Sequence, residues 1–254
     1  MADKDLLGLS EINKRQKVEI EFWRDSEQES PEADSIYNTI SKVSDTGAFL
    51  ECFNRHTEKH ITSGKVLELG GGQGWAACAY KKLYPKTHIT STDISKYAVM
   101  SVPKWERLYE VKIDNSYACT SYEINEDDGS LDQVFCYGAA HHFLAHRRTL
   151  RELYRVLKPG GTAIYFHEPT TPKCFYSFAY KRVNRNRPDV PENVLITSKL
   201  RELANEVGLE MQMDYHPSLM NRGPLETIYY SVLRSIPPLQ KMLPCMANII
   251  FIKK

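Results

Sequence analysis

The chain has 254 residues, 42% hydrophobic and 26% charged, with a formal net charge of +1. Such a chain can bury a large core without disulfide or metal staples, and its near-neutrality excludes an overall field drawing it to nucleic acid or to an anionic membrane. No apolar run reaches the roughly 20 residues that span a bilayer, the opening MADKDLLGLSEINKRQK has no signal-peptide core, and none of the six cysteines stands in CxxC spacing; the expectation is a reduced, soluble, cytoplasmic protein.

Residues 1–62 read as an N-terminal helical cap, polar overall, with apolar positions at Phe22, Trp23, Ile36, Ile40, Phe49 and Phe53. Residues 63–254 carry a different pattern. KVLELG is a short strand, Gly70 to Gly74 a turn, and WAACAYKKLYP a helix stopped near Pro85. HITSTDIS predicts a second strand ending in Asp93, YEVKIDN a third ending in Asp114, and LDQVFCYG a fourth. HHFLAHRRTLRELYRVLKPGG has apolar residues near helical spacing and stops at Lys158-Pro159-Gly160-Gly161. TAIYFHEP is a fifth strand, LITSKLRELANEVGL a helix with Thr197 or Ser198 as candidate N-cap, and EMQMDYHP and ANIIFIKK are two closing strands. Strands alternating with helices imply right-handed crossovers and a mostly parallel α/β sheet. Two stretches break the alternation, 169–195 and 216–246, the second with a helix around residues 225–234; connections this long read as lid-like insertions.

In an open parallel sheet ligands sit beyond the carboxyl ends of the strands, which makes VLELGGGQG (66–74) a binding turn. It is no P-loop, having no Lys-Ser or Lys-Thr after Gly74, and its GxGxG spacing is not the dinucleotide GxGxxG. Glu68, inside the strand end, would repel a pyrophosphate and suits a ligand with a cationic amino group. Asp93 can accept two hydrogen bonds from ribose hydroxyls, and Asp114 one from an adenine amino group. An adenosine with an amino-acid tail and no phosphate is S-adenosylmethionine. The bland alternatives are a plain tight turn for the glycines and a helix N-cap for Asp93. For Asp114 the alternative is that Asn115 or a backbone amide takes its place.

VLELGGGQG, TSTDIS, KIDNS, LDQVFCYGAAHHF and LRELYRVLKPGG stand in the order and spacing of the class I S-adenosylmethionine-dependent methyltransferases. The chain resembles that family over about residues 64–170, and the last two pieces look like its small-molecule, ubiquinone/menaquinone-biosynthesis branch. The resemblance implies a Rossmann-like sheet of seven strands in the order 3-2-1-4-5-7-6, strand 7 antiparallel, with helices on both faces. It implies that Glu68, Gly70, Gly71, Gly72 and Gly74 hold the methionine end of the cofactor. Asp93, with Ile94 beside it, would hold the ribose, Asp114 with Asn115 the adenine, and Gly138 the floor near the sulfonium. S-adenosylhomocysteine would be the product.

His141 and His142 follow the fourth strand, and His167 and Glu168 end the fifth; these four are the candidate bases. Against a catalytic role, the first pair can cap a helix and the second can be a hydrogen-bonded strand end. Neighbours on a helix do not share a face, so no metal site is expected at the histidine pair. KCFYSFAYKRVNRNRP carries five bases and no acid, interleaved with aromatics. A lid over a polar acceptor is favoured there over nucleic acid, because nothing else in the chain is basic. The expected reaction is methyl transfer to a small-molecule acceptor at oxygen, a sugar or glycan precursor being attractive. The alternatives are carbon methylation of a quinone-like or lipid ring, a nucleic-acid-associated protein, and a non-catalytic cofactor-binding module. A homo-oligomer is left open.

Overall fold

The computed structural model describes residues 9–33, 35–61, 63–185 and 192–254. In chain order the helical region holds α1 (Leu9–Asp25) and α2 (Ile36–Asn54). Then follow β1 (Lys65–Leu69), α3 (Trp75–Leu83), β2 (His88–Asp93), α4 (Lys96–Val99), α5 (Val102–Tyr109), β3 (Asn115–Ala118) and β4 (Leu131–Tyr137). The second half holds α6 (His146–Val156), β5 (Leu157–Thr171), α7 (Tyr176–Val183), β6 (Leu195–Ile196), α8 (Thr197–Glu206), β7 (Leu209–Tyr215), α9 (Pro224–Ser235), α10 (Pro237–Met242) and β8 (Cys245–Lys253).

The strands form one sheet in the order β3-β2-β1-β4-β5-β8-β7, with the two-residue β6 paired to the end of β5. Only β8 runs antiparallel to its neighbours. With β6 set aside, this is the order that the resemblance implies. Side chains alternate between two cores as the strand period requires. Leu67, Leu69, Val134, Cys136 and Tyr165 face α6 and α8. Val66, Phe135, Ile164 and Phe166 face the other layer, packed with Phe49, Phe53, Trp75 and Trp105. Both faces of β4 are covered, which is why Val134 to Tyr137 form a continuous apolar run rather than an alternating one.

The 1–62 region divides in two. α1 lies over the carboxyl edge of the sheet, whereas α2 belongs to the main core: Phe49, Cys52 and Phe53 are fully buried against the sheet and α3. Phe53→Ala is therefore expected to lower the unfolding free energy by about 3–5 kcal/mol, the ordinary cost of truncating a core phenylalanine. Urea denaturation measures this, and a loss under about 1 kcal/mol would mean that α2 is a detachable cap.

Four expectations need correction. The third strand starts at Asn115 rather than ending at Asp114; it pairs Thr90 with Asn115 and Asp93 with Ala118. The apolar Val111 and Ile113 that suggested a strand pack into the core ahead of it. The helix after the fourth strand does not begin at His141: Ala140–His142 is a 3-10 turn, and α6 opens at His146. α8 has Ile196 at its N-cap with no side-chain cap, so neither Thr197 nor Ser198 caps it. Leu157 to Gly161 belong to the start of β5, with Leu157 paired to Leu131. Among the described residues no helix is long and apolar enough to cross a membrane.

Candidate functional site

The carboxyl ends of β1, β2, β4 and β5 open into one cavity of about 910 Å³. That is near the top of the range for small-molecule sites, roughly 300–1,000 Å³, and leaves room for two reactants. α1 borders it on one side. The two long insertions border it on the other, through Ala179, Arg182 and Val194 from the first and Met220, Arg222 and Tyr230 from the second.

The glycine turn forms the wall after β1. Gly71 donates to the Thr92 carbonyl (2.8 Å) and Gly72 to Asp93 Oδ2 (2.9 Å). At Gly71 a Cβ would collide with the Glu68 carboxyl group and the Ser91 hydroxyl lying beneath it. Gly72 has φ +55°, a conformation costly for any other residue, and the Trp23 ring of α1 packs where its side chain would be. Gln73 ties the turn to the helical region: its amide donates to the Glu29 carbonyl, and its carbonyl accepts from Asn38 and from the Trp105 indole.

Glu68 is a support rather than a wall. It is buried, accepts from Ser91 Oγ at 2.5 Å, and does not line the cavity. Burial pushes its carboxyl group up to about 8, which favours the neutral form. Buried beneath the turn, Glu68 offers a phosphate less charge than the expectation assumed. Gly74, also outside the cavity lining, is the left-handed N-cap of α3.

Asp93 and Ile94 line the cavity at the end of β2. Each Asp93 oxygen accepts a backbone amide, from Gly72 and Ser95, both at 2.9 Å. Burial raises this carboxyl group to about 6, the amide bonds partly offsetting the desolvation. Asp114 and Asn115 are elsewhere. They open β3, so they stand at the opposite edge of the parallel sheet. Asp114 accepts from the Ile89 amide and pairs with Lys81; against the upward push of partial burial, these two bonds hold its carboxyl group below the ordinary value. The residues that the structure brings to the cavity past β3 are Cys119 and Ser121.

Gly138, with φ +56° and open space on its Cβ side, lines the cavity after β4. The turn that follows is held from below by Glu168. This carboxylate is fully buried and accepts the amides of Ala139 (2.9 Å), Ala140 (2.8 Å) and His141 (3.1 Å), plus His141 Nδ1 at 2.9 Å. Glu168 is thus a positioning residue, closed off from the cavity. His167 does line it. A bulge in β5 between Tyr165 and Glu168 and a φ of +56° turn its ring onto Tyr137, with centroids 5.6 Å apart. Burial, with Arg222 nearby, lowers His167 to about 4, which keeps the imidazole neutral and a weak base.

The 3-10 turn overturns the argument against a shared metal. It brings the His141 and His142 rings to a centroid distance of 4.2 Å, and Glu192 from the first insertion joins them, each offering a ligand atom within 4.8 Å of the others. Glu19 and Trp23 on α1, and Arg222, also line the cavity, none of them having been a candidate site residue. Burial and the neighbouring Asp93 raise Glu19 to about 7. Of the basic segment, Arg182 lines the cavity and pairs with Glu226 at 3.4 Å, while Arg187 falls outside the described residues.

Residues 67–165 match the family model described as methyltransferase domain. The chain is 25% identical over 149 residues to a demethylmenaquinone methyltransferase of Thermus thermophilus, an alignment covering 57% of this chain and 66% of that protein. Among solved structures it resembles the geranyl diphosphate C-methyltransferase of Streptomyces coelicolor, solved with S-adenosyl-L-homocysteine, with a TM-score of 0.65 and 11% identity over 94% of this chain and 98% of that one. It also resembles a putative sarcosine dimethylglycine methyltransferase from Galdieria sulphuraria, with a TM-score of 0.58 and 16% identity over 95% and 98% of the two chains.

Proposed function

We propose that this chain, a class I S-adenosylmethionine-dependent methyltransferase by its domain and fold, transfers the cofactor's methyl group to an oxygen of a polar small-molecule acceptor. The observation that carries this is a cavity with two differently built ends. One end is the glycine turn with Asp93. The other is built by two insertions that supply Arg182, Asn221, Arg222 and Glu226. A sugar-like acceptor suits such a mixed-charge wall.

In this reading Gly70, Gly71 and Gly72 face the methionyl part of the cofactor, and Asp93 accepts from the ribose hydroxyls. Ile94, Cys119 and Ser121 border the adenine, and Gly138 leaves space beneath the sulfonium. The acceptor oxygen attacks the methyl carbon opposite sulfur, the C–S bond breaks with its electron pair going to sulfur, and S-adenosylhomocysteine leaves. The protein's share is alignment, which alone supplies roughly 7–11 kcal/mol of barrier lowering, and exclusion of water by α1 and the insertions. His167 orients rather than deprotonates, being too weak a base, and Glu168 holds the turn that carries Gly138.

Carbon methylation is the second reading. Tyr137, Met220, Tyr230 and Met246 give the cavity an apolar side, and two of the similar proteins, by name, methylate demethylmenaquinone or the carbon of geranyl diphosphate. Incubating the protein with methyl-labelled cofactor and cell extract tests both: label on an oxygen of a polar metabolite is expected, label on a ring or chain carbon favours the second reading, and no label on any metabolite contradicts both.

Ribose recognition needs ionised Asp93. With its carboxyl group at about 6, a proton must leave for the cofactor to bind below that pH. Cofactor affinity is therefore expected to be full above about pH 7 and to fall as pH drops through about 6. Calorimetry across this range checks it, and a flat profile would contradict the role of Asp93.

A further inference from the structure

We propose that His141, His142 and Glu192 bind a divalent transition-metal ion of the zinc class on the cavity wall, and that this ion takes the acceptor's hydroxyl oxygen as a further ligand. Two imidazoles and one carboxylate with open positions are a donor set suited to such ions. The three ligand atoms lie within 4.8 Å of one another. A tetrahedral ion with bonds of about 2.0–2.1 Å places its ligands roughly 3.4 Å apart, so the site tightens by no more than about 1.5 Å on binding.

The surroundings are built for this. His141 Nδ1 faces the buried Glu168 carboxylate at 2.9 Å. A carboxylate only accepts, so Nδ1 carries the proton and Nε2 is left as the coordinating nitrogen. This is the carboxylate–histidine arrangement that orients a metal ligand. Glu168 is itself fixed by three backbone amides, so the tautomer is set before any ion arrives. Glu192 is held by both of its backbone groups to the Asn184 side chain, its amide donating at 2.7 Å and its carbonyl accepting at 2.7 Å. The Glu19 carboxyl group stands 4.0 Å from His142 Nδ1, a further oxygen beside the cluster.

The inference rests on the oxygen-methylation reading for its chemistry. Among the strand-end candidates no strong base reaches an acceptor: His167 is too weak and Glu168 is closed off. A Lewis acid replaces one by lowering the pKa of the bound hydroxyl. The hydroxyl proton passes to water, the metal-held oxygen attacks the methyl carbon, and the C–S electron pair stays on sulfur; no oxidant or reductant is involved.

The test is binding of Co²⁺ and Zn²⁺ to the chelator-treated full chain without acceptor. One ion per chain, with visible ligand-field bands of four- or five-coordinate Co²⁺, is expected. His142→Ala and Glu192→Ala, at partly exposed positions, should each weaken binding at least 10-fold while the cofactor still binds by calorimetry. Absence of bands, or binding that both variants leave unchanged, overturns the site. If the chelated protein still moves the methyl label from the cofactor to a metabolite of cell extract at full rate, the metal's role falls while the methyltransferase reading stands.

Discussion

Glu168→Ala is expected to lower the unfolding free energy by about 3–5 kcal/mol and to abolish methyl transfer. The estimate follows from what the side chain holds. Three amide N–H groups, of Ala139, Ala140 and His141, and the His141 ring all converge on a carboxylate with no exposure. Each buried donor left without an acceptor costs about 1–3 kcal/mol, and water entering the space recovers part of that. The turn carrying Gly138 and the histidines would relax away from the sheet edge, taking one cavity wall with it. Glu168→Gln keeps the shape and one acceptor, so it should lose less stability than the alanine variant. Urea titrations of both variants check this. Equal stability of Glu168→Ala and the parent chain would show that the carboxylate does not organise the site.

Asp93→Ala is expected to raise the dissociation constant for S-adenosylmethionine by about 100-fold or more. Two hydrogen bonds to an ionised acceptor are worth about 1.5–3 kcal/mol each, and 1.4 kcal/mol is a factor of ten. The same change releases the Gly72 and Ser95 amides, so the glycine turn loses its anchor too. Asp114→Ala is the matching control. Its side chain binds Ile89 and Lys81 at the far edge of the sheet, so cofactor affinity should stay within about twofold while stability falls by about 1 kcal/mol. Calorimetric titration of both variants separates the two carboxylates.

These two aspartates show what the sequence could and could not disclose. Asp93 was legible because ITST is β-branched enough to mark a strand, and the acid stands at its end. Asp114 was misplaced because β3 is a polar edge strand, Asn115-Ser116-Tyr117-Ala118, only partly buried. The apolar signal sat in Val111 and Ile113 ahead of it. Chain position was right, but the register was off by one element length, which moved an acid from one end of the sheet to the other. Glu68 was legible as a site residue but not in its role. Whether a carboxyl group points into a cavity or under a turn depends on Ser91 and Gly71 packing around it. The histidine pair was misread because helical spacing was assumed where the chain makes a 3-10 turn. Trp23 was legible only as an apolar position and Glu19 not at all: they reach the site by α1 crossing the sheet edge, a contact far away in sequence.

A crystal structure with S-adenosylhomocysteine bound tests the central claim most directly. The account predicts the homocysteine over Gly70 to Gly72, both ribose hydroxyls on Asp93, and the sulfur beside Gly138. A ligand seated away from Asp93, or one that leaves the glycine turn empty, would contradict it.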